Sequence, residues 1–235
     1  APDTESSPIP VPVFFVQKAQ TTLHHISTRL LLLLPIRYKN GVWESSGEEA
    51  AIWDKFGIAT SEQRRSVLNS LKKVALSPYG ITLFPCRKER NHYVGTIWVV
   101  WQAGFAASAA QEGDSELLLQ LIAQQIRNAV LHKSFYEVLE SDSGKSWRWP
   151  GQLWHASGFV SLVLYGLLGI SYDANGLSFS PCIPEPFPGL RLDCLKYRDS
   201  VLEIVTEGYG TKARVFLDGL ECKSIPADVT GTHRI

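Results

Sequence analysis

The sequence predicts a mainly α protein, in which paired helices build a double-layered α/α toroid or solenoid and a small antiparallel β region follows. Two observations predict it. Amphipathic helical segments alternate along the chain with segments that are apolar on almost every side, and a helix that buries every face must be surrounded by other helices. Beyond Ile170, prolines, an Asn175-Gly176 turn and period-two alternation replace the helical pattern. We therefore expect an α/α-toroid domain over residues 1–170 and a β-rich domain over 171–235.

The predicted helices begin with residues 14–34, which end at Pro35, and residues 48–57, where Gly57 is placed as a stop. Thr60-Ser61-Glu62-Gln63 then puts a hydroxyl three residues before an amide, which is the capping-box pattern at a helix start. We expect this third helix to end at Ser77-Pro78.

Three further helices are expected in the first domain. Residues 96–111 are rich in Trp, Ala and Phe and indicate an inner helix, whereas residues 115–132, capped by Asp114, form an amphipathic outer one. Residues 152–168 are again apolar nearly all round, and Gly169 closes that helix. The outer and inner helices thus come in pairs.

Short strands are predicted in the second domain. Residues 190–192, 200–205 and 212–217 alternate apolar and polar side chains, and Asp218-Gly219 is a hairpin signal. Since two or three strands alone do not stay folded, we expect them to belong to a sandwich-like antiparallel region.

The composition excludes several classes of function. Lys and Arg number 23, as do Asp and Glu, so the formal net charge is zero and attraction to nucleic acid has no support. The longest aliphatic stretch, residues 30–36, contains a proline and is too short to cross a bilayer. The four cysteines form no C-x-x-C pair, and phosphate-binding glycine loops are absent. We expect no nucleic-acid or membrane partner, no metal and no cofactor.

One non-helical stretch is rich in groups that carry chemistry. Residues 134–144 join an outer helix to an inner one, and Glu137 lies there beside Tyr136 and near Trp147 and Trp149. A carboxylate among rings is partly desolvated, which is the environment that tunes acid/base groups. The alternative is an ordinary solvated loop glutamate.

Three motifs in order carry a resemblance to a known group of enzymes. They are Gly95-Thr96-Ile97-Trp98, then Phe135-Tyr136-Glu137-Val138, then Gln152-Leu153-Trp154-His155-Ala156-Ser157-Gly158. Together they resemble the closing half of the (α/α)6-toroid, or six-hairpin, glycoside hydrolases. The likeness is to the processing α-glucosidases, trehalase, amylo-α-1,6-glucosidase and α-L-rhamnosidases, and it covers roughly residues 45–170.

The resemblance implies a glycosidase that inverts the anomeric centre, with Glu137 as the general base that activates water. An oligosaccharide or glycoside is the implied substrate. The implied substrate-binding residues surround that glutamate in the motifs or the loop: Trp98, Tyr136, Trp147, Trp149, Gln152, Trp154 and His155. For Trp98 the alternative is a core tryptophan, and for His155 it is a core histidine whose ring is satisfied by the backbone.

The general acid is harder to assign. Trp43-Glu44 resembles the acid segment of glucoamylases, with a solvated loop glutamate as the alternative. The chain departs from the family at Val99, where a proline is usual, and it accounts for about six helices of the twelve. A missing segment or another chain is therefore expected to complete the toroid, and the absence of methionine fits a chain that does not begin at its native start.

Two rival functions stay open. A glycoside phosphorylase would need a cationic phosphate pocket, for which Arg148, between Trp147 and Trp149, is the nearby candidate. A non-catalytic carbohydrate-binding or scaffold module is favoured by the missing acid. Binding of sugar without turnover, unchanged by Glu137→Gln, would select the second rival.

Overall fold

A computed structural model describes residues 37–39 and 42–44 by their backbone, and residues 60–83, 85, 94–187 and 189–235 in full. The helices of these residues are α1 (Ser61–Val74), α2 (Val99–Gln111), α3 (Ser115–His132) and α4 (Leu153–Ser161), and a π-helical turn, Leu162–Leu167, continues α4. The predicted helices over residues 14–34 and 48–57 lie outside the described residues.

Short strands are interspersed among the helices of the described chain. They form three antiparallel groups: β1 (Arg37–Lys39) with β2 (Val42–Glu44), β3 (Leu76–Ser77) with β4 (Gly80–Ile81), and a sheet of β5 (Thr96–Ile97), β6 (Val138–Glu140) and β7 (Ser146–Trp147) in that order.

The C-terminal region holds three more sheets. One has the order β14-β9-β8, from β14 (Ile225–Pro226), β9 (Gly176–Phe179) and β8 (Ile170–Tyr172). The second has the order β10-β11-β15, from β10 (Gly189–Tyr197), β11 (Ser200–Glu207) and β15 (Gly231–Arg234). The third is the hairpin of β12 (Val215–Leu217) and β13 (Leu220–Cys222).

The predicted fold class is wrong. The described chain is mixed α/β, with comparable numbers of residues in helices and strands, and it is not a mainly α half of a toroid. The sequence pattern missed β5, β6 and β7 because two or three residues are too few to show a period of two, and because their partners are distant: Thr96 pairs with Glu140 and Val138 with Trp147.

The β-rich end also departs from the predicted all-antiparallel arrangement. β10 and β11 are antiparallel, but β15 returns parallel to β11, with Ser200 opposite Gly231 and Leu202 opposite His233. The predicted hairpin at Asp218-Gly219 is confirmed, since both residues have positive φ, 51° and 87°, and join β12 to β13.

The helix starts follow the sequence signals. At α1 the Gln63 N–H donates to the Thr60 hydroxyl oxygen at 3.3 Å, while the Thr60 N–H donates to Oε1 of Gln63 at 2.8 Å, so the capping box is complete. At α3 the Leu117 N–H donates to the Asp114 carboxylate at 3.2 Å. Each capping signal is contained in four consecutive residues, so it can form without contacts from the rest of the fold.

Helix α2 lies in the middle of the larger hydrophobic core. Phe105, Ala106 and Ala109 are fully buried on it, against α3 and the π-helical turn. The inner position predicted for this segment is confirmed. A second core joins the end of that turn, at Leu168, to the β-rich region. Among the helices that the structure describes, none combines the length and apolar character needed to cross a membrane.

Candidate functional site

The three motif segments meet at the small sheet of β5, β6 and β7. β5 belongs to the first motif, and β6 follows directly after Glu137 in the second. The ladder continues past the strands, since the Glu137 N–H donates to the Trp149 carbonyl and the Gln152 N–H donates to the Phe135 carbonyl, both at 3.0 Å. Residues more than 40 positions apart in sequence, such as Thr96 and Glu140, are therefore neighbours in the fold.

His155 links two of these segments to helix α2. Its Nδ1 accepts a hydrogen bond from the Val100 N–H at 3.0 Å, and its Nε2 lies 2.8 Å from the Glu137 carbonyl oxygen. Because an N–H only donates and a carbonyl only accepts, Nδ1 carries the lone pair and Nε2 the hydrogen. The ring is thus a neutral tautomer that fixes the start of α2 against the main chain of Glu137.

The surroundings of His155 keep it neutral. Burial lowers the pKa of the imidazole, and the hydrogen bond to the Glu137 carbonyl and the charge of the Glu137 carboxylate oppose that effect only in part. The ring is fully buried and both nitrogens are engaged by the backbone, so neither is available to a sugar hydroxyl. This is the backbone-satisfied arrangement that the sequence left open.

The tryptophans divide into buried and exposed ones. Trp98 is 4 % exposed and packs in a small core with Leu83 and Val138, which is the core alternative named above. Trp154 is 47 % exposed and Trp149 is 68 % exposed. Two indole rings near the proposed base are therefore accessible, and flat indole faces are suited to stacking on sugar rings.

A row of rings connects the buried and exposed tryptophans. The Trp98 ring meets Trp154 edge-on with centroids 5.9 Å apart, and Trp154 stacks on His155 with centroids 5.3 Å apart. Since His155 is itself fixed by two hydrogen bonds, the position of the half-exposed Trp154 indole is set by the core beneath it.

Glu137 is half-buried, and both of its main-chain polar groups are bonded: the N–H to Trp149 and the carbonyl to His155. Tyr136 is half-buried too, and its ring meets His132 edge-on at 5.8 Å. Gln152 stands at the N-cap position of α4, where its side chain makes no capping hydrogen bond. Among the predicted site residues, the structure gathers Trp98, Glu137, Trp149, Gln152, Trp154 and His155 through these contacts.

Arg148 has a role in this geometry that the sequence did not reveal. Trp147 pairs with Val138, yet the Glu137 N–H donates to Trp149, so Arg148 is one residue in excess on its strand. Its φ of 70° and this shift in register are the marks of a β-bulge. Glycine is the usual signal for such a conformation, and its absence hid the bulge. The Arg148 guanidinium lies 5.1 Å from the ring centroid of the half-buried Trp147.

Glu44, the predicted acid, lies in β2 opposite Arg37 and is described by its backbone only. Its role stays a prediction. Among the fully described residues, no group of three or more His, Cys, Asp or Glu side chains is placed to hold a metal ion.

Comparison with solved structures shows a likeness in fold. No family model matches the chain, and no curated protein matches it. A solved structure titled "Sialidase" shares the fold with a TM-score of 0.58 and 18% sequence identity, and the match covers 75% of this chain and 19% of that one. The chain thus spans about a fifth of the length of that protein. A likeness at this identity establishes a shared fold and nothing finer.

Proposed function

We propose that this chain is part of a glycoside hydrolase in which Glu137 is the general base. The observation that carries the proposal is the fixing of Glu137: its main chain is bonded on one side to Trp149 and on the other to the buried His155. Its half-buried carboxylate is thereby held in a segment that also presents accessible indoles.

This arrangement suits an inverting mechanism. The ionised Glu137 takes a proton from a water molecule as the water attacks the anomeric carbon, and a second, protonated carboxyl donates to the departing oxygen. A base must stay within hydrogen-bond reach of that water, and a main chain fixed at both polar groups favours such precision. Glu44 is the candidate for the second carboxyl, and inversion requires the two carboxyls to lie roughly 6.5–9.5 Å apart.

The exposed indoles support a saccharide as the substrate. Trp149 and Trp154 present large accessible rings beside the Glu137 segment, while the rings of Trp98 and His155 support Trp154 from below. We propose that an oligosaccharide or glycoside stacks on these two indoles, with its scissile bond directed toward Glu137.

The structural comparison supports the same class, since a protein titled sialidase is named for cleaving glycosides. Because this chain matches only 19% of that protein, further parts of an active site are expected from residues outside the match. A chain that matches so small a part of that protein also fits the rival function, a non-catalytic carbohydrate-binding module.

A panel of aryl glycosides, together with a sialoside and oligosaccharides, tests the proposal. The expected result is hydrolysis of at least one substrate, with the product of opposite anomeric configuration formed first, as followed by NMR. Glycosyl phosphate formed only with added phosphate would select the phosphorylase, and retention would overturn the assignment of Glu137 as a base acting on water. Binding without turnover of any substrate would overturn the enzyme and select the module.

A further inference from the structure

A cavity lies in the β-rich region, and its lining includes none of the residues assigned to the glycosidase site. Its volume is about 680 Å³, and nearly buried apolar side chains form its floor: Leu168, Ile183 and Ile204. Ligand cavities in proteins commonly measure about 300–1,000 Å³, so this one has room for a small oligosaccharide.

The most exposed of the aromatic rings that line this cavity lies on a firmly held loop. Tyr209 is 64 % exposed and stands between Gly208 and Gly210, whose φ angles are 84° and 117°. Gly210 is tied to Ile183 by two backbone hydrogen bonds of 2.8 and 2.9 Å. The exposed ring therefore sits on an anchored turn, which lowers the entropy lost when a ligand stacks on it.

Three cationic residues line the same cavity, namely Lys212, Arg214 and Arg234. Within the described part of the chain, none of their side chains forms an ion pair, although the Arg214 guanidinium lies 5.4 Å from the ring centroid of Phe216. All three are exposed at the rim and are available to a ligand.

Two acidic residues also line the cavity, and one of them is already engaged. The Asp218 carboxylate lies 2.6 Å from Nδ1 of His233 and accepts the Arg234 N–H at 2.9 Å. Glu207 is the other acid. The Asp218 carboxylate therefore has partners of its own, whereas Lys212 and Arg214 have no ion-pair partner among the described residues.

We propose that this cavity binds an acidic oligosaccharide, with a sugar ring on Tyr209 and a carboxylate of uronic-acid type at Lys212 and Arg214. An accessible ring beside cations recognises a ligand that has both an apolar sugar face and a negative charge. A neutral sugar would leave the cations unpaired, and a small inorganic anion would leave the ring and the apolar floor unused. The site is independent of Glu137 and adds a second point of attachment to the chain.

Calorimetric titration with di- and trigalacturonic acid, beside their methyl esters of equal length, tests this site. The full chain is expected to bind an acid form and to bind its uncharged ester about tenfold more weakly. Tyr209→Ala and the double variant Lys212→Ala/Arg214→Ala are each expected to weaken binding about tenfold. Lys223→Ala is the matched control, since Lys223 is exposed on the same region but does not line the cavity.

The outcomes separate this proposal from the glycosidase. Binding that persists in Glu137→Gln and falls in the cavity variants supports it, whether or not the chain has turnover. Three results would overturn it. The first is that neither acid binds, and the second is that acid and ester bind equally. The third is that Lys223→Ala weakens binding as much as Lys212→Ala/Arg214→Ala does. Circular dichroism on every variant confirms that the exposed substitutions leave the fold intact.

Discussion

Nε2 of the His155 imidazole lies 2.8 Å from the main-chain oxygen of Glu137, the proposed general base, and Nδ1 of the same ring accepts from the Val100 N–H. A buried ring thus connects helix α2 to the segment that carries the carboxylate. Stability and the position of the base therefore depend on the same side chain.

His155→Ala is expected to destabilise the chain by about 3 kcal/mol, because it removes the hydrogen-bond partner of the partly buried Val100 N–H and Glu137 carbonyl and opens a cavity where the buried ring was. Urea unfolding followed by fluorescence measures the change. His132→Ala is the control: its ring is half-exposed and contacts one carbonyl, that of Gly144, so a loss of about 1 kcal/mol is expected. Equal losses in the two variants would contradict the bridging role of His155.

The lowered pKa of His155 predicts a pH dependence. In the unfolded chain the imidazole takes up a proton below about pH 6.5, whereas the buried ring resists it, so its contribution to stability is lost as pH falls from about 6.5 through the folded-state pKa. His155→Asn cannot titrate there. The stability advantage of the wild type over this variant is expected to shrink between about pH 7.5 and about pH 5, measured by melting temperature. A constant gap would show that the ring does not resist protonation.

The difference in stability between the wild type and His155→Asn is also free of the opposing pH dependence of His233. The hydrogen bonds of His233 to Asp218 and to the Thr230 carbonyl raise the pKa of His233, so this group favours folding as pH falls. Because His233 is present in both proteins, its effect cancels in the difference.

Gly169 is expected to tolerate no side chain. Its φ is 58°, and a Cβ would lie 1.9 Å from the Ser180 carbonyl oxygen. Ser180 is held in this place because its N–H donates to the Gly169 carbonyl. Gly169→Ala should cost about 3 kcal/mol in urea unfolding, from strain and overpacking together. Gly219→Ala, with φ of 87° and open space around it, should cost only about 1 kcal/mol.

Replacing an exposed tryptophan is expected to affect substrate binding, whereas replacing a buried one is expected to affect stability. Trp149→Ala should raise KM for a cleaved oligosaccharide about tenfold and leave the unfolding free energy nearly unchanged, because its ring is largely exposed. Trp98→Ala should cost about 3–5 kcal/mol of stability, because its ring is buried. Kinetics and urea unfolding on both variants check this, and an unchanged KM in Trp149→Ala would remove Trp149 from the substrate site.

Local signals predicted the starts of α1 and α3, whereas α1 ends at Val74, before the expected Ser77-Pro78, and Thr96–Ile97, expected in a helix, form β5. The capping box at Thr60, the Asp114 cap and the stop at Gly169 each act through residues a few positions apart, so they are readable in the sequence. The Asp218-Gly219 hairpin belongs to the same kind of signal.

The parts that the sequence did not predict depend on distant partners. β5 has two residues and exists because Ile97 meets Leu139 across the ladder, and β15 runs parallel to β11 through pairs such as Leu202 and His233. Neither pairing leaves a periodic trace in the strand itself. The strands around Glu137 therefore escaped prediction, although the residues of the candidate site were named from their motifs.

The turnover number of Glu137→Gln on the best substrate of the glycoside panel tests the central claim most directly, with Glu140→Gln as the matched control. Glu140 is a half-buried acid three residues further on whose carboxylate accepts from the Ser143 hydroxyl at 2.5 Å. A general base contributes about 10²–10⁴-fold, so the account predicts a loss of at least about a hundredfold in Glu137→Gln, near-normal turnover in Glu140→Gln, and unchanged folding in both. Turnover in Glu137→Gln within about twofold of the wild type would contradict it.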